Sequence, residues 1–152
     1  ANLSFKTGEG WSDGPYDVVA AFAFLHHLDD AALRATLRAA RAALRPGGVF
    51  YSSDPSSRRA VALFRGLVRG TYARYHSPDE RELDPEALKK CSIDAGFARA
   101  EIRFTDYFLG PLAWLAPGTP RALAGALEAL DSLAQRVPLA RRHASPFSVC
   151  AC

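Results

Sequence analysis

The sequence predicts an α/β fold, in which strands alternate with helices around one sheet. Two apolar runs flank a stretch with helical periodicity, in the order strand, helix, strand, and Gly or Pro clusters close each element. The chain has 152 residues, the size of one domain, and its 49% hydrophobic and 23% charged content is ordinary for a globular protein. That composition excludes disordered, collagen-like and coiled-coil classes.

The elements follow in order. Leu3, Phe5 and Thr7 alternate with polar residues up to Gly8, the period-2 pattern of a half-buried strand. After a Gly, Ser, Asp and Pro cluster, Tyr16 to Phe22 is almost wholly apolar and reads as a strand buried on both faces. Asp29 and Asp30 offer an N-cap, and Leu33, Leu37, Ala40 and Leu44 recur at helical spacing until Pro46-Gly47-Gly48. This predicts a helix over 30–44. Val49, Phe50 and Tyr51 then lead to Ser52-Ser53-Asp54-Pro55, a second strand with a polar tip, which completes a right-handed βαβ unit. Residues 58–75 carry Val61, Phe64, Val68 and Tyr72 near one helical face, interrupted by Gly66 and Gly70. Asp84-Pro85 starts another helix, and Gly96 ends it in the left-handed conformation that glycine allows. A strand over 98–107 follows. Thr119-Pro120 begins a last helix with Leu123, Leu127, Leu130 and Ala134 on one side, closed by Pro138, and residues 147–152 form a terminal strand. The stretch 105–146 is long for one connection and opens with Phe108, Leu109, Leu112, Trp114 and Leu115, so it is expected to be a cap over a substrate. Asp131 is the ionisable group beside its apolar stripe.

Nineteen basic against sixteen acidic residues give a net charge of +3, too small to imply nucleic acid or a membrane surface as partner. Three cysteines make no disulfide framework, and no run approaches the roughly 20 apolar residues that a membrane span needs. A cytoplasmic location is expected. With no Met anywhere, the chain is expected to be an N-terminally truncated single domain over 1–152.

Tyr16-Asp17-Val18-Val19, Leu25-His26-His27-Leu28-Asp29-Asp30, Leu44-Arg45-Pro46-Gly47-Gly48 and Ser53-Asp54-Pro55, continued by Ala95-Gly96-Phe97, resemble the second half of class I S-adenosylmethionine-dependent methyltransferases. The small-molecule branch, with the ubiquinone and menaquinone biosynthesis enzymes, is the nearest in pattern. The resemblance implies the third to seventh strands of a seven-stranded Rossmann-like sheet of order 3-2-1-4-5-7-6, with helices on both faces and an insertion before the last strand. It also implies S-adenosylmethionine as cofactor and a small-molecule methyl acceptor. The Gly-rich turn and the acidic ribose-binding strand end of such enzymes are not in the chain, which implies an upstream segment of roughly 60–70 residues. As a fragment, the chain is then expected to be inactive alone and to self-associate through an exposed sheet edge.

In an open parallel sheet, ligands lie outside the carboxyl ends of the strands. Gly8-Glu9-Gly10, Phe22-Ala23 and Asp54 should therefore face one crevice, and the resemblance implies Gly8, Glu9, Gly10, Phe22, Ala23 and His26 as cofactor contacts. Asp54, Tyr72, Tyr75 and His76 are the substrate-side candidates, although an Asp-Pro tip usually caps a turn and aromatic residues at helical spacing are usually core. His27 and His26 are the candidate general bases, because imidazole titrates near neutral pH. Beside Asp29 and Asp30 they read as a helix entry, and no metal site is expected. Gly10-Trp11-Ser12-Asp13-Gly14 matches a hydrolase nucleophile elbow, but Pro15 and a strand follow where that elbow needs a helix. The expected function is methyl transfer from S-adenosylmethionine. Its rival is a non-catalytic α/β interaction module, and a nicotinamide-dependent oxidoreductase is weaker because no dinucleotide fingerprint is visible.

Overall fold

In the computed structural model, residues 14–58, 80–109, 118, 120–138, 140–144 and 146–152 are described. The expected strand at Leu3–Thr7 and nearly all of the helix expected over 58–75 lie outside them. β1 (Tyr16–Phe22), α1 (Asp30–Ala43) and β2 (Leu44–Pro55) form the strand, helix, strand unit, with β1 and β2 parallel. Asp29 starts α1 by accepting the backbone N–H of Ala32 at 2.8 Å, the expected cap. Leu33, Leu37 and Ala40 are buried, as is Leu44 at the start of β2, so the predicted stripe is the face that packs on the sheet.

Leu44 already pairs with Tyr16, so β2 begins earlier than Val49; Arg45–Gly48 loop out, with Gly47 at φ +77°, before Val18 meets Val49. β1 departs from the expected double burial. Val19 and Ala21 face the core, while Val18 is exposed and Phe22 is 67% exposed on the opposite side. An apolar run therefore does not imply two covered faces.

α2 (Pro85–Asp94) is capped by Asp84, whose Oδ1 accepts the N–H groups of Glu86 and Ala87 at 2.9 and 3.0 Å. Its other oxygen accepts from Arg58 at 2.7 Å. Gly96, at φ +102°, ends the helix as expected. β3 (Ala100–Phe104) is shorter than the expected 98–107, because Asp106 turns the chain at φ +54°. α3 (Arg121–Ala134) and β4 (Pro146–Ala151) complete the elements. The sheet order is β1-β2-β4-β3, with β4 antiparallel to both neighbours. This is the 4-5-7-6 portion of the expected order. α1 and α2 share one core with the sheet, built on Phe50, Phe147, Val149 and Leu37, with the Phe50 and Phe97 rings 5.8 Å apart.

Of the stripe on α3, Leu123 and Leu130 are exposed and Leu127 and Ala134 half-buried, while the buried residue of the helix is Asp131. Its carboxylate accepts three successive backbone N–H groups, those of Tyr107 at 3.1 Å, Phe108 at 2.8 Å and Leu109 at 3.2 Å. Asp131 thus anchors the chain leaving β3. Burial, with the nearby Asp131 charge, pushes the Asp106 carboxyl above its ordinary range.

Two outcomes follow from these carboxylates. Burial pushes the Asp84 carboxyl up, but its two amide bonds and Arg58 outweigh that and hold it below its ordinary value of 3.8. A lowered acid stabilises the fold above its unfolded value and loses that contribution as pH falls through the folded value. Asp84→Ala is expected to cost about 1–2 kcal/mol in urea denaturation at neutral pH, shrinking in acid. Asp131→Ala strands three donors and is expected to cost about 2–3 kcal/mol, with amide exchange accelerated first at Tyr107, Phe108 and Leu109.

Candidate functional site

The carboxyl ends of the parallel strands β1 and β2 lie side by side, where Phe22 pairs with Ser53. One further rung, from the Ala23 N–H to the Ser53 carbonyl at 2.8 Å, closes the ladder, and Ala23 then turns the chain at φ +46°. A short 3₁₀ turn over Leu25–His27 follows, anchored by the fully buried Leu25. The turn delivers His26 inward and His27 outward. His26 is 5% exposed, whereas His27 is exposed, and their ring centroids are 4.1 Å apart.

Asp54 holds this arrangement from the tip of β2. Its Oδ1 accepts the backbone N–H of His26 at 3.2 Å and lies 3.1 Å from the ring Nδ1. Where the carboxylate only accepts, this contact puts the hydrogen on Nδ1 and, in a neutral ring, leaves the lone pair on Nε2. The tip does not present Asp54 to solvent as expected for a substrate contact, because its side chain has no exposed surface. Among the described residues its Oδ2 has no hydrogen-bond partner.

A second segment straps this corner. Arg81 donates its backbone N–H to the His26 carbonyl at 3.0 Å, and Leu83 exchanges backbone bonds with Pro55 and Ser57. Arg81 also bonds Asp30 at 2.5 Å, and that hydrogen bond, reinforced by the guanidinium charge, lowers the Asp30 carboxyl below its ordinary value. Glu80 is carried alongside, and one donor atom each from His26, His27 and Glu80 lie within 4.8 Å of one another. Sequence reasoning missed Glu80, Arg81 and Leu83, which carry no local motif.

Of the predicted site residues, the fold brings together Phe22, Ala23, His26, His27 and Asp54. Gly8, Glu9, Gly10, Tyr72, Tyr75 and His76 lie outside the described residues. Phe22 and Phe24, on either side of Ala23, are both exposed.

Residues 3–101, well over half of the chain, match the family described as a methyltransferase domain. The chain belongs to this methyltransferase family. Solved structures agree on the fold. An S-adenosylmethionine-dependent methyltransferase from Archaeoglobus fulgidus is 15% identical, with TM-score 0.56 over 93% of this chain and 62% of that one. A second such enzyme, from Thermotoga maritima, is 12% identical, with TM-score 0.57 over 91% and 56%. A Haemonchus contortus phosphoethanolamine N-methyltransferase 2, in complex with phosphomonomethylethanolamine and S-adenosylhomocysteine, is 14% identical, with TM-score 0.51 over 90% and 33%. The methyltransferase domain described here thus spans less than two thirds of the length of each. Among curated proteins none matches it in sequence. No helix among its described residues is long and apolar enough to cross a membrane.

The role of Asp54 is separable from its bulk. Asp54→Asn keeps the shape but not the obligate acceptor, so the His26 ring of the methyltransferase domain is expected to lose its single tautomer. Imidazole ¹⁵N chemical shifts read this directly, and an unchanged Nδ1–H signature would show that another group sets the ring.

Proposed function

We propose that the protein transfers a methyl group from S-adenosylmethionine to a small-molecule acceptor at the carboxyl ends of β1 and β2. The observation that carries this reading is the exposed imidazole of His27, its ring centroid 4.1 Å from that of His26 in a tilted contact, with His26 held by the buried Asp54. Family membership supports the reaction class. When bound, the cofactor supplies a methyl group already activated on a sulfonium, so the chain needs no covalent nucleophile.

The residues divide the remaining work. Phe22 and Ala23 are assigned to the cofactor, as are Gly8, Glu9 and Gly10, which lie outside the described residues. His27 accepts the proton that an acceptor oxygen or nitrogen loses as it attacks the methyl carbon. His26 is a positioning residue, holding the orientation of His27 through ring contact while Asp54 holds His26. Tyr72, Tyr75 and His76 belong to the acceptor side. Aligning the acceptor with the methyl group and excluding water is where most of the acceleration would come from.

The test uses the full natural protein. Saturable binding of S-adenosylhomocysteine is expected by calorimetry, and His27→Asn is expected to lower kcat about 10²- to 10⁴-fold while leaving that binding within a few-fold. Absence of any saturable binding would sink the reading.

A further inference from the structure

We propose that His26, His27 and Glu80 form a binding site for a divalent transition-metal ion of the zinc class, with at least one coordination position open. The donor set comes from two segments far apart in sequence, joined by the Arg81 to His26 backbone bond. One donor atom of each residue lies within 4.8 Å of the others. A zinc-class ion with bonds of about 2.1 Å needs tetrahedral donors about 3.4 Å apart. His27 is exposed and Glu80 half-buried, against the buried His26, so an ion would draw those two donors in toward it.

Two further observations point to a cation here. Metal-bound histidines usually give their other ring N–H to a carboxylate, and His26 Nδ1 is already committed to Asp54 in that way. With Nδ1 engaged in this way, Nε2 is the nitrogen assigned to the ion. Asp54 also keeps one oxygen without a hydrogen-bond partner among the described residues, in a side chain with no exposure. A buried carboxylate in that condition is stabilised by a nearby positive charge. Two imidazoles and one carboxylate select zinc, iron, cobalt or nickel over magnesium and calcium, which prefer all-oxygen shells. Three protein ligands also leave room for water or a ligand atom. The sequence expectation of no metal rested on Asp29 and Asp30 as neighbours of the His pair; the proposed third ligand is Glu80.

An ion on His27 takes the lone pair that would otherwise accept the acceptor's proton, so the metal-bound and base-competent states exclude one another; the proposal does not rest on methyl transfer, and its test needs no substrate. The metal-free chain is titrated with Zn²⁺ by calorimetry, then with Co²⁺ to read the ligand type from the visible spectrum. One equivalent is expected to bind, with nitrogen and oxygen ligation and no thiolate charge-transfer band. Glu80→Gln and His27→Asn, both accessible enough to leave the fold intact by circular dichroism, are each expected to weaken binding at least tenfold. Non-saturable binding, affinity unchanged in both variants, or a thiolate band from Cys91, Cys150 or Cys152 would overturn the site. Metal binding lost while S-adenosylhomocysteine still binds the natural protein would remove this proposal alone.

Discussion

A carboxylate with no exposed surface at the end of the central strand is the constraint around which this corner of the molecule is organised. Burying Asp54 is unfavourable unless its oxygens find donors, and both donors to Oδ1 come from one residue, His26. The chain leaving β1 must therefore turn at once and lay a histidine over the tip of β2. The positive φ of Ala23, the 3₁₀ turn and the buried Leu25 are the local means of doing so. The cap of α1 follows directly, since Leu28 leads straight from that turn into Asp29. A helix start, a strand end and a paired imidazole are thus set by one side chain.

Much of the fold was legible in the sequence because its elements carry their own signals. α1 shows a cap, a stripe and a Gly-rich stop within a single window, and α2 has Asp84-Pro85 at one end and Gly96 at the other. The burial of β1 was misjudged because an apolar run reports only side-chain character. Which face a partner covers is decided elsewhere in the chain. The apolar stripe of α3 misled for the same reason, and its buried residue turned out to be the acid. β3 ended early through backbone geometry at Asp106, a residue that tolerates the left-handed region without announcing it.

That Phe22, Ala23, His26, His27 and Asp54 gather at one end of the sheet was legible because the strands that carry them already showed in the sequence. Their mutual roles were not legible. That Asp54 addresses the imidazole from a buried position depends on the depth of the strand tip, a property of the assembled sheet. Glu80 and Arg81 are further removed from any local pattern, since they reach the histidines through backbone bonds between segments. Family matching extends over residues 3–101, while α3 and β4 lie beyond it.

Asp131 carries a consequence for how the protein can change over evolutionary time. Its carboxylate grips amides 22 to 24 residues earlier, so one side chain ties α3 to the chain leaving β3. Once the ends are fixed, doubling the length between them costs only about 0.6 kcal/mol in closure entropy. Length changes ahead of Arg121 that leave the Asp131 bonds in place are therefore expected to leave the register of β3 and β4 unchanged. A region held in this manner can be exchanged wholesale among descendants, with the hydrogen-bonded scaffold unaware of the substitution.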